Sequence, residues 1–401
     1  MRRGLSLLLA ALPLAGCVTA PLAPRYSPPP EVAWAWASFD ANAVRAQGAG
    51  GIADRRTGRP ITPDDPIRVA SVSKMATALT VMRLVEKGRL DLDADVARYL
   101  GWSLRNPAFP DRPITLRQLL SHTGSVRDNG ENYVVRFGKQ IRPQAQDAGS
   151  FDQAHAPGTY FHYSNLNFGI IGSVIESATG ERFDRVARRE VLEPLGLDAC
   201  FNWGTCSEGA AARAVVLYAE DGKAILDDLQ GKLPACPVFV EPGADCTLDD
   251  YVPGSNGALF SPQGGLRISA TGLGVIGRML LNDGRHQGRA FLSPASVRTM
   301  ITPVWQYDGQ NGVTDEGFYC SYGLAIHLVP GPNAACRDDL MGGRRPMLGH
   351  AGEAYRVRSG LWLDPARRTG IAFIAANNGT DPPAGRTSFK AIEEWLAAKL
   401  R

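Results

Sequence analysis

Hydrophobic and polar positions alternate with a period of two near the start of this chain. Val32, Trp34 and Trp36 are separated by alanines until the turn-forming stretch 40–42, a pattern typical of a β-strand. The apolar pattern resumes at Val44. We therefore predict that the fold opens with a β-hairpin.

A helical period follows the hairpin. Met75, Leu79 and Met82 recur at the spacing of one helix face, and Gly88 is a typical C-terminal cap. This pattern predicts a helix whose N-terminus lies at Ser71.

Helical patterns dominate from about residue 90 to residue 280, for example at 116–120 and 168–177. Near the end, the runs 359–363 and 371–375 bracket a turn and predict a second hairpin. Strands at both ends with helices between them indicate one sheet assembled from both chain ends.

This organisation predicts an α/β (α+β) fold, with an antiparallel sheet flanked by helices and an inserted, mostly helical unit. We place the domain at 31–401 and expect residues 389–400 to form its closing helix. The sheet part is expected from about 31–74 and 258–401, and the helical part from about 75–257.

The first residues have a different composition. Arg2 and Arg3 precede the apolar run 5–14, which is followed by small residues and Cys17, as in an export signal. The run is too short to span a bilayer, which takes about 20 apolar residues. The chain is therefore expected to leave the cytoplasm.

The four residues 14–17, Leu-Ala-Gly-Cys, resemble the lipobox of bacterial lipoproteins. That resemblance implies a signal peptide at 1–16 and a lipid on Cys17, which would anchor the protein to a membrane of the bacterial cell envelope, facing the periplasm. The alternative is an ordinary secretory signal cut near Ala20. Residues 17–30 include five prolines after position 20 and are expected to form an extended tether.

Cysteine usage fits an oxidising compartment. Besides Cys17 the chain has six cysteines, and six allow 15 pairings. We predict pairing between sequence neighbours: Cys200 with Cys206, Cys236 with Cys246, and Cys320 with Cys336. No Cys-x-x-Cys or His-Glu-x-x-His spacing occurs, so no metal site is predicted.

Charge excludes one class of function. Lys and Arg number 43 against 40 for Asp and Glu, with no basic or acidic run. Such a balance does not fit a nucleic-acid-binding protein.

Candidate chemistry begins with Ser71-Val-Ser-Lys74. Serine and lysine three residues apart on a helix share a face, so the amine can reach the hydroxyl. The helix N-terminus would also favour a developing oxyanion. A chain of this length contains such a spacing about once or twice by chance, and a helix cap beside an exposed lysine would explain it equally well.

Two further motifs follow in order. Tyr163-x-Asn165 precedes an apolar helix, and His350-Ala-Gly352 precedes the last hairpin. Taken singly, the tyrosine could be a packed aromatic, the asparagine a helix cap and the histidine a residue at a strand edge. Together with the first motif, they resemble the serine β-lactamase and penicillin-binding protein superfamily, specifically its class C-like branch. Further similar segments, at 67–70, 115–124, 264–266 and 359–364, extend the resemblance to roughly 44–376.

The resemblance implies roles for the first two motifs. Ser71 would form an acyl-enzyme, Lys74 would help to deprotonate it, and Tyr163 would shuttle the proton, either as a phenolate or through the lysine. Asn165 would bind a substrate amide and hold the lysine.

The third motif is assigned by the same resemblance. His350 would line the site and steady a substrate carboxylate or the proton shuttle. Gly352 precedes Glu353, whose backbone N–H would complete an oxyanion hole with that of Ser71. The family resemblance assigns His122 no role, because its segment resembles a structural loop.

The third motif also separates this chain from class C β-lactamases, which normally carry Lys-Thr-Gly where this chain has His-Ala-Gly. That form is more like D-amino-acid-specific peptidases, DD-carboxypeptidases and esterases. We therefore expect a serine hydrolase that acts on an ester or on a peptide or amide bond of a small-molecule or peptide substrate, without a metal or organic cofactor.

Two alternatives stay open: a class C-type β-lactamase, and a non-catalytic envelope lipoprotein that binds penicillin or peptidoglycan. The stretch between Cys200 and Cys246 matches no pattern of the family and is a candidate for the rim of the site.

Overall fold

The computed structural model describes residues 26–400. The predicted signal, Cys17 and most of the predicted tether lie outside them. Among the described residues, no helix combines the length and apolar character needed to cross a membrane.

Short strands are spread along the whole chain, whereas long ones occur only near its ends. The strands are β1 (Ala33–Asp40), β2 (Val44–Gly50), β3 (Ile52–Asp54), β4 (Arg59–Pro60), β5 (Ile67–Arg68), β6 (Cys200–Phe201), β7 (Leu217–Tyr218), β8 (Ala224–Leu226), β9 (Leu266–Ile268), β10 (Arg285–His286), β11 (Arg289–Ala290), β12 (Trp305–Gln306), β13 (Ser321–Tyr322), β14 (His327–Val329), β15 (Met347–Ala354), β16 (Val357–Asp364) and β17 (Thr369–Ala376).

The α-helices lie mainly in the middle of the chain. They are α1 (Ser73–Glu86), α2 (Ala97–Leu100), α3 (Leu116–Leu120), α4 (Arg142–Gln146), α5 (Leu166–Thr179), α6 (Phe183–Ala187), α7 (Glu208–Ala212), α8 (Ala270–Leu281), α9 (Pro294–Ile301) and α10 (Ala391–Ala397).

One antiparallel sheet of eight strands joins the two ends of the chain. Its order is β12-β13-β14-β15-β16-β17-β1-β2, so the first hairpin pairs directly with the last one. Ala33 lies opposite Ala376, and Asp40 lies opposite Thr369. The predicted α/β fold class, with a sheet formed from both ends, is confirmed.

The period-two pattern of β1 places different side chains on the two faces of the sheet. Ala33 and Ala35 are buried in the main core, against α8. Trp34 points to the other face, where its ring meets that of Trp395 edge-on at 5.1 Å. Tyr26 also contacts this closing helix, so α10 covers the outer face of β1.

Helix α1 is surrounded by protein over most of its length. Its residues are buried from Ser73 through Met82. A 3₁₀ turn at Ala70–Val72 leads into it, so the predicted nucleophile lies just ahead of a core helix.

A small three-stranded sheet supports the same turn. β9 lies between β5 and β6, and Arg68 of β5 is the direct partner of Arg267 of β9. This sheet connects the segment before Ser71 to the one after Gly264.

The structure pairs the six cysteines between sequence neighbours: Cys200 with Cys206, Cys236 with Cys246, and Cys320 with Cys336. Each closes a loop of 6 to 16 residues.

Candidate active site

Ser71 lies in a tight turn that is held against strand β15. Ala70 takes a left-handed φ of 45°, which costs a non-glycine residue about 1–2 kcal/mol. The Oγ of Ser359 donates to the carbonyl of Val69 at 2.7 Å. A Cβ on Gly352 would lie 2.4 Å from that carbonyl oxygen and 3.1 Å from the Ser71 nitrogen. Glycine is therefore required for β15 to approach the backbone of Ser71 this closely.

Lys74 is fully buried beside the serine. Its Nζ lies 3.0 Å from Oγ of Ser71, 2.8 Å from Oδ1 of Asn165 and 3.0 Å from the carbonyl oxygen of Gln263. Burial lowers the pKa of Lys74 to about 7, although the negative charge of Asp128 opposes the shift. The amine is therefore partly unprotonated at neutral pH, as a general base must be.

Asp128 holds the second motif in place. Its carboxylate accepts hydrogen bonds from the backbone N–H groups of Asn165 and Leu166, each at 3.0 Å. It also accepts from the side chains of Asn165 at 3.0 Å and Ser164 at 2.8 Å. These bonds orient the amide of Asn165 so that its oxygen faces Lys74. Asp128 was not predicted from the sequence.

Tyr163 is stacked between two rings. Its ring centroid lies 4.3 Å from that of His122 and 4.7 Å from that of Tyr319. Burial raises its pKa above the usual value, although the Ser71 and Tyr319 hydroxyls counteract this in part. The hydroxyl lies near theirs but makes no hydrogen bond with good geometry to any residue in 26–400. Tyr163 is thus a neutral phenol at neutral pH, and the phenolate alternative is disfavoured.

His122 positions the second motif. Its Nδ1 accepts the backbone N–H of Ser164 at 3.0 Å. Burial, together with the charge of Lys74, lowers its pKa well below the usual value, so the ring is neutral. This histidine was expected to have no role, and the structure gives it a positioning one.

His350 is placed differently from the expectation. It lies behind the cavity wall, where Tyr322 is 2.6 Å from its Nε2 and the Ala351 carbonyl is 2.5 Å from its Nδ1. Burial lowers its pKa to about 3, with a smaller contribution from Lys74. The prediction that His350 lines the site and steadies a carboxylate is corrected, because the ring is neutral and both its nitrogens are occupied. Its alternative role, to steady the proton shuttle, stays a prediction.

A cavity of about 810 Å³ opens over the serine. The predicted residues that reach it are Ser71, Tyr163, Asn165, Gly352 and Glu353, whereas Lys74 lies beneath its floor. The role of the Glu353 N–H in an oxyanion hole stays a prediction.

The rim of the cavity comes from loops far apart in sequence. Phe239, in the loop closed by the Cys236–Cys246 disulfide, lines it, and its carbonyl accepts the Phe137 N–H at 2.8 Å. The cysteine-bearing stretch thus contributes to the rim. Lys390 and Glu393 line the cavity from the C-terminal end.

The model of the family described as Beta-lactamase matches residues 32–393. Penicillin-binding protein 4 of Amycolatopsis lactamdurans is 30% identical over 264 residues, or 64% of this chain and 61% of that protein. Esterase EstB of Burkholderia gladioli is 36% identical over 170 residues, or 38% of this chain and 42% of the esterase. The chain therefore spans less than two thirds of either relative.

Solved structures show the same fold. A class C beta lactamase from Rhodobacter sphaeroides is similar with a TM-score of 0.64 and 16% identity, over 92% of this chain and 93% of that one. A D-stereospecific amidohydrolase from Streptomyces sp. is similar with a TM-score of 0.57 and 21% identity, over 86% and 88% of the respective chains.

Proposed function

Because this chain belongs to the beta-lactamase family, a family of hydrolases that includes esterases and amidohydrolases, we propose that it cleaves an ester or a peptide bond through an acyl-enzyme on Ser71. One observation carries the proposal: the Lys74 amine lies 3.0 Å from the Ser71 hydroxyl, and burial lowers the pKa of that amine to about 7. A lysine in solution would be almost wholly protonated at neutral pH.

Acylation needs one proton to leave the nucleophile. Oγ of Ser71 attacks the carbonyl carbon while its proton passes to the unprotonated Nζ of Lys74. The negative charge on the carbonyl oxygen would be stabilised by backbone N–H groups at Ser71 and Glu353, since Gly352 brings β15 against the turn.

The leaving group then departs with a proton. The bond between the carbonyl carbon and the leaving group breaks, and the proton held by Lys74 reaches the departing oxygen or nitrogen through the neutral phenol of Tyr163. A phenol can donate its own proton and accept another from the ammonium. Its stacking between His122 and Tyr319 holds the phenol ring in place for this transfer.

Deacylation repeats the cycle with water. Water attacks the acyl carbon and gives a proton to Lys74, and the bond to Oγ of Ser71 breaks. Ser71 then recovers the proton from Lys74, and the product is a carboxylic acid that ionises in solution.

The third motif supports an ester or peptide substrate over a β-lactam. Ala351 faces the cavity without a hydroxyl, and His350 behind it is neutral, so this strand offers neither a cation nor a side-chain donor. The similarity to an esterase over part of the chain agrees with this choice.

The non-catalytic alternative finds no support in the site. It would be favoured by a solvated Lys74 or by a Tyr163 directed away from the serine, yet Lys74 is 0% exposed and the Tyr163 ring lies 4.9 Å from its Nζ.

We also propose that the protein is held at the envelope membrane through Cys17, a position outside the described residues.

The test is turnover of p-nitrophenyl butyrate and of an N-acetylated D-alanyl-D-alanine dipeptide. We expect the wild type to hydrolyse at least one of them and Ser71→Ala to hydrolyse neither. Ser73→Ala is the matched control, because Oγ of Ser73 accepts the Leu266 N–H at 3.0 Å and is not free to act as a nucleophile. Equal turnover by wild type and Ser71→Ala would reject the proposal.

A further inference from the structure

Two arginines face each other directly in the small sheet beside the nucleophile. Arg68 of β5 and Arg267 of β9 are cross-strand partners, and they are only 6% and 3% exposed. Like charges opposite one another in an antiparallel pair are destabilising, and buried charges are normally paired. Such an arrangement calls for two neutralising groups.

The protein supplies one of them. Asp227 binds Arg267 through two hydrogen bonds of 2.8 and 3.2 Å. It also accepts the indole N–H of Trp203 at 2.7 Å. Asp227 is thus fully engaged by Arg267 and Trp203, and a positive charge is left over at Arg68.

Arg68 donates no side-chain hydrogen bond to any residue that the structure describes, and its Nε is completely buried. Its guanidinium lies 4.8 Å over the ring of Tyr355. Burial, assisted by the charge of Arg267, lowers its pKa to about 10, although the charge of Asp227 opposes the shift. Arg68 therefore remains a cation at neutral pH. Burying this charge without an acidic partner lowers the stability of the fold.

Arg68 lines the cavity that opens over Ser71. Three cations line it. Arg358 is bonded to Glu353 and Lys390 to Asp381, so Arg68 is the one without an acidic partner in 26–400. It lines the same cavity as Ala70 and Ser71.

We propose that Arg68 is an anion-binding subsite of this active site and that it selects substrates bearing a carboxylate close to the scissile bond. The guanidinium presents a planar fork that matches a carboxylate in two parallel hydrogen bonds, and Tyr355 fixes its plane. The carboxylate would supply the second negative charge that the Arg68–Arg267 pair lacks. This inference rests on the proposed hydrolase function and adds a substrate class to it.

The first experiment uses matched pairs of esters that differ only in charge. One pair places the charge on the acyl side, as p-nitrophenyl hydrogen glutarate against its methyl ester. The other places it on the leaving group, as 3-butyryloxybenzoate against 3-butyryloxybenzamide. We expect kcat/KM to favour the anionic member of at least one pair in the wild type.

Removing the charge at Arg68 should abolish that preference. Arg68→Met is expected to lower kcat/KM for the anionic ester by about 10- to 100-fold, the loss of a charge-assisted hydrogen bond, and to leave the neutral ester within about twofold. Lys390→Met, which removes a paired cation from the same cavity, should change the ratio little. A preference that survives in Arg68→Met, or the absence of one in the wild type, would overturn the inference.

Two further measurements separate the possible failures. Arg68→Met should melt at the wild-type temperature or above it, because a like-charge contact is removed. If that variant fails to fold, Arg68→Lys replaces it, and retention of the anionic preference at a reduced level is expected. Calorimetric binding of the anionic esters to Ser71→Ala tests Arg68 without turnover. If adding Arg68→Met to that variant does not weaken the binding, the subsite is rejected. If the binding is weakened but the wild type shows no Ser71-dependent hydrolysis, only the proposed function is rejected.

Discussion

Asp128 binds Asn165 twice, through the backbone N–H and through the side-chain amide, each at 3.0 Å. These contacts direct Oδ1 of Asn165 toward Lys74, which it meets at 2.8 Å. The same carboxylate raises the pKa of Lys74 against the effect of burial. One acidic residue therefore sets both the geometry and the proton affinity of the general base.

Asp128→Asn tests this role. The variant removes the charge that favours the ammonium form, so the pKa of Lys74 should fall and the ascending limb of the pH–rate profile should move to lower pH. Stability should fall by about 1–3 kcal/mol, because buried N–H groups lose a charged acceptor. Denaturant melts and pH profiles of kcat/KM measure the two effects. A loss of stability with an unmoved pH limb would show that Asp128 is structural only.

The pKa of Lys74 predicts the pH dependence of the wild type. Only the unprotonated amine accepts the serine proton, and its fraction rises with pH through the pKa of about 7. Between pH 6 and pH 8, kcat/KM for a neutral ester should therefore rise by about tenfold. His122 and His350 should not contribute, because burial keeps both neutral. A rate that stays flat or falls over this interval would contradict Lys74 as the base.

Lys74→Met should remove the base while preserving the fold. Methionine fills a similar volume without placing a charge in the core, so the melting temperature is expected to hold, whereas kcat/KM should fall by about 10²–10⁴-fold. Lys87→Met is the control, since Lys87 follows the same helix at its C-terminal end and its half-exposed side chain pairs with the buried Glu190. Comparable activity losses in the two variants would point to a general effect on α1.

Gly352→Ala tests the contact between β15 and the nucleophile turn. Its Cβ would lie 2.3 Å from Oγ of Ser359 and 2.4 Å from the carbonyl of Val69, so the strand must move away from Ser71. We expect a loss in kcat of about 10² or more, as for removal of an oxyanion donor. Gly379→Ala is the matched control, because nothing lies within 4 Å of the added Cβ. An active Gly352→Ala enzyme would show that this approach is not needed.

Long periodic segments could be predicted from the sequence. The helix after Ser71, the helix around 168–177 and both hairpins were predicted because a regular period over several residues reports the face that an element buries. Strands β12 to β14 have two or three residues each, which is too short for any period. Their place in the sheet is set by pairing with β15, which no local pattern encodes.

The predicted site residues that carry the motif chemistry are brought together, but their supporting residues were missed. Asp128 and His122 act on the second motif from about 40 positions away in sequence, in a loop whose composition suggests only turns. Arg68 belongs to the segment 67–70, which was considered only as part of the family resemblance. Its unpaired charge becomes visible only in the register that sets it against Arg267. The side chain of His350 was misplaced because a motif gives the position of a residue in the sequence. It does not tell which face of the strand the ring lies on, or which neighbours bond to it.

The central claim is that Ser71 becomes acylated, and intact-mass spectrometry tests it most directly. The protein lacking residues 1–20 is mixed with p-nitrophenyl butyrate and with a penicillin, quenched in acid at short times, and digested to locate the adduct. The account predicts a mass increase equal to the acyl group, confined to the peptide that contains Ser71 and absent from Ser71→Ala. An adduct of the same mass in Ser71→Ala, or hydrolysis by the wild type without any acylation of Ser71, would contradict it.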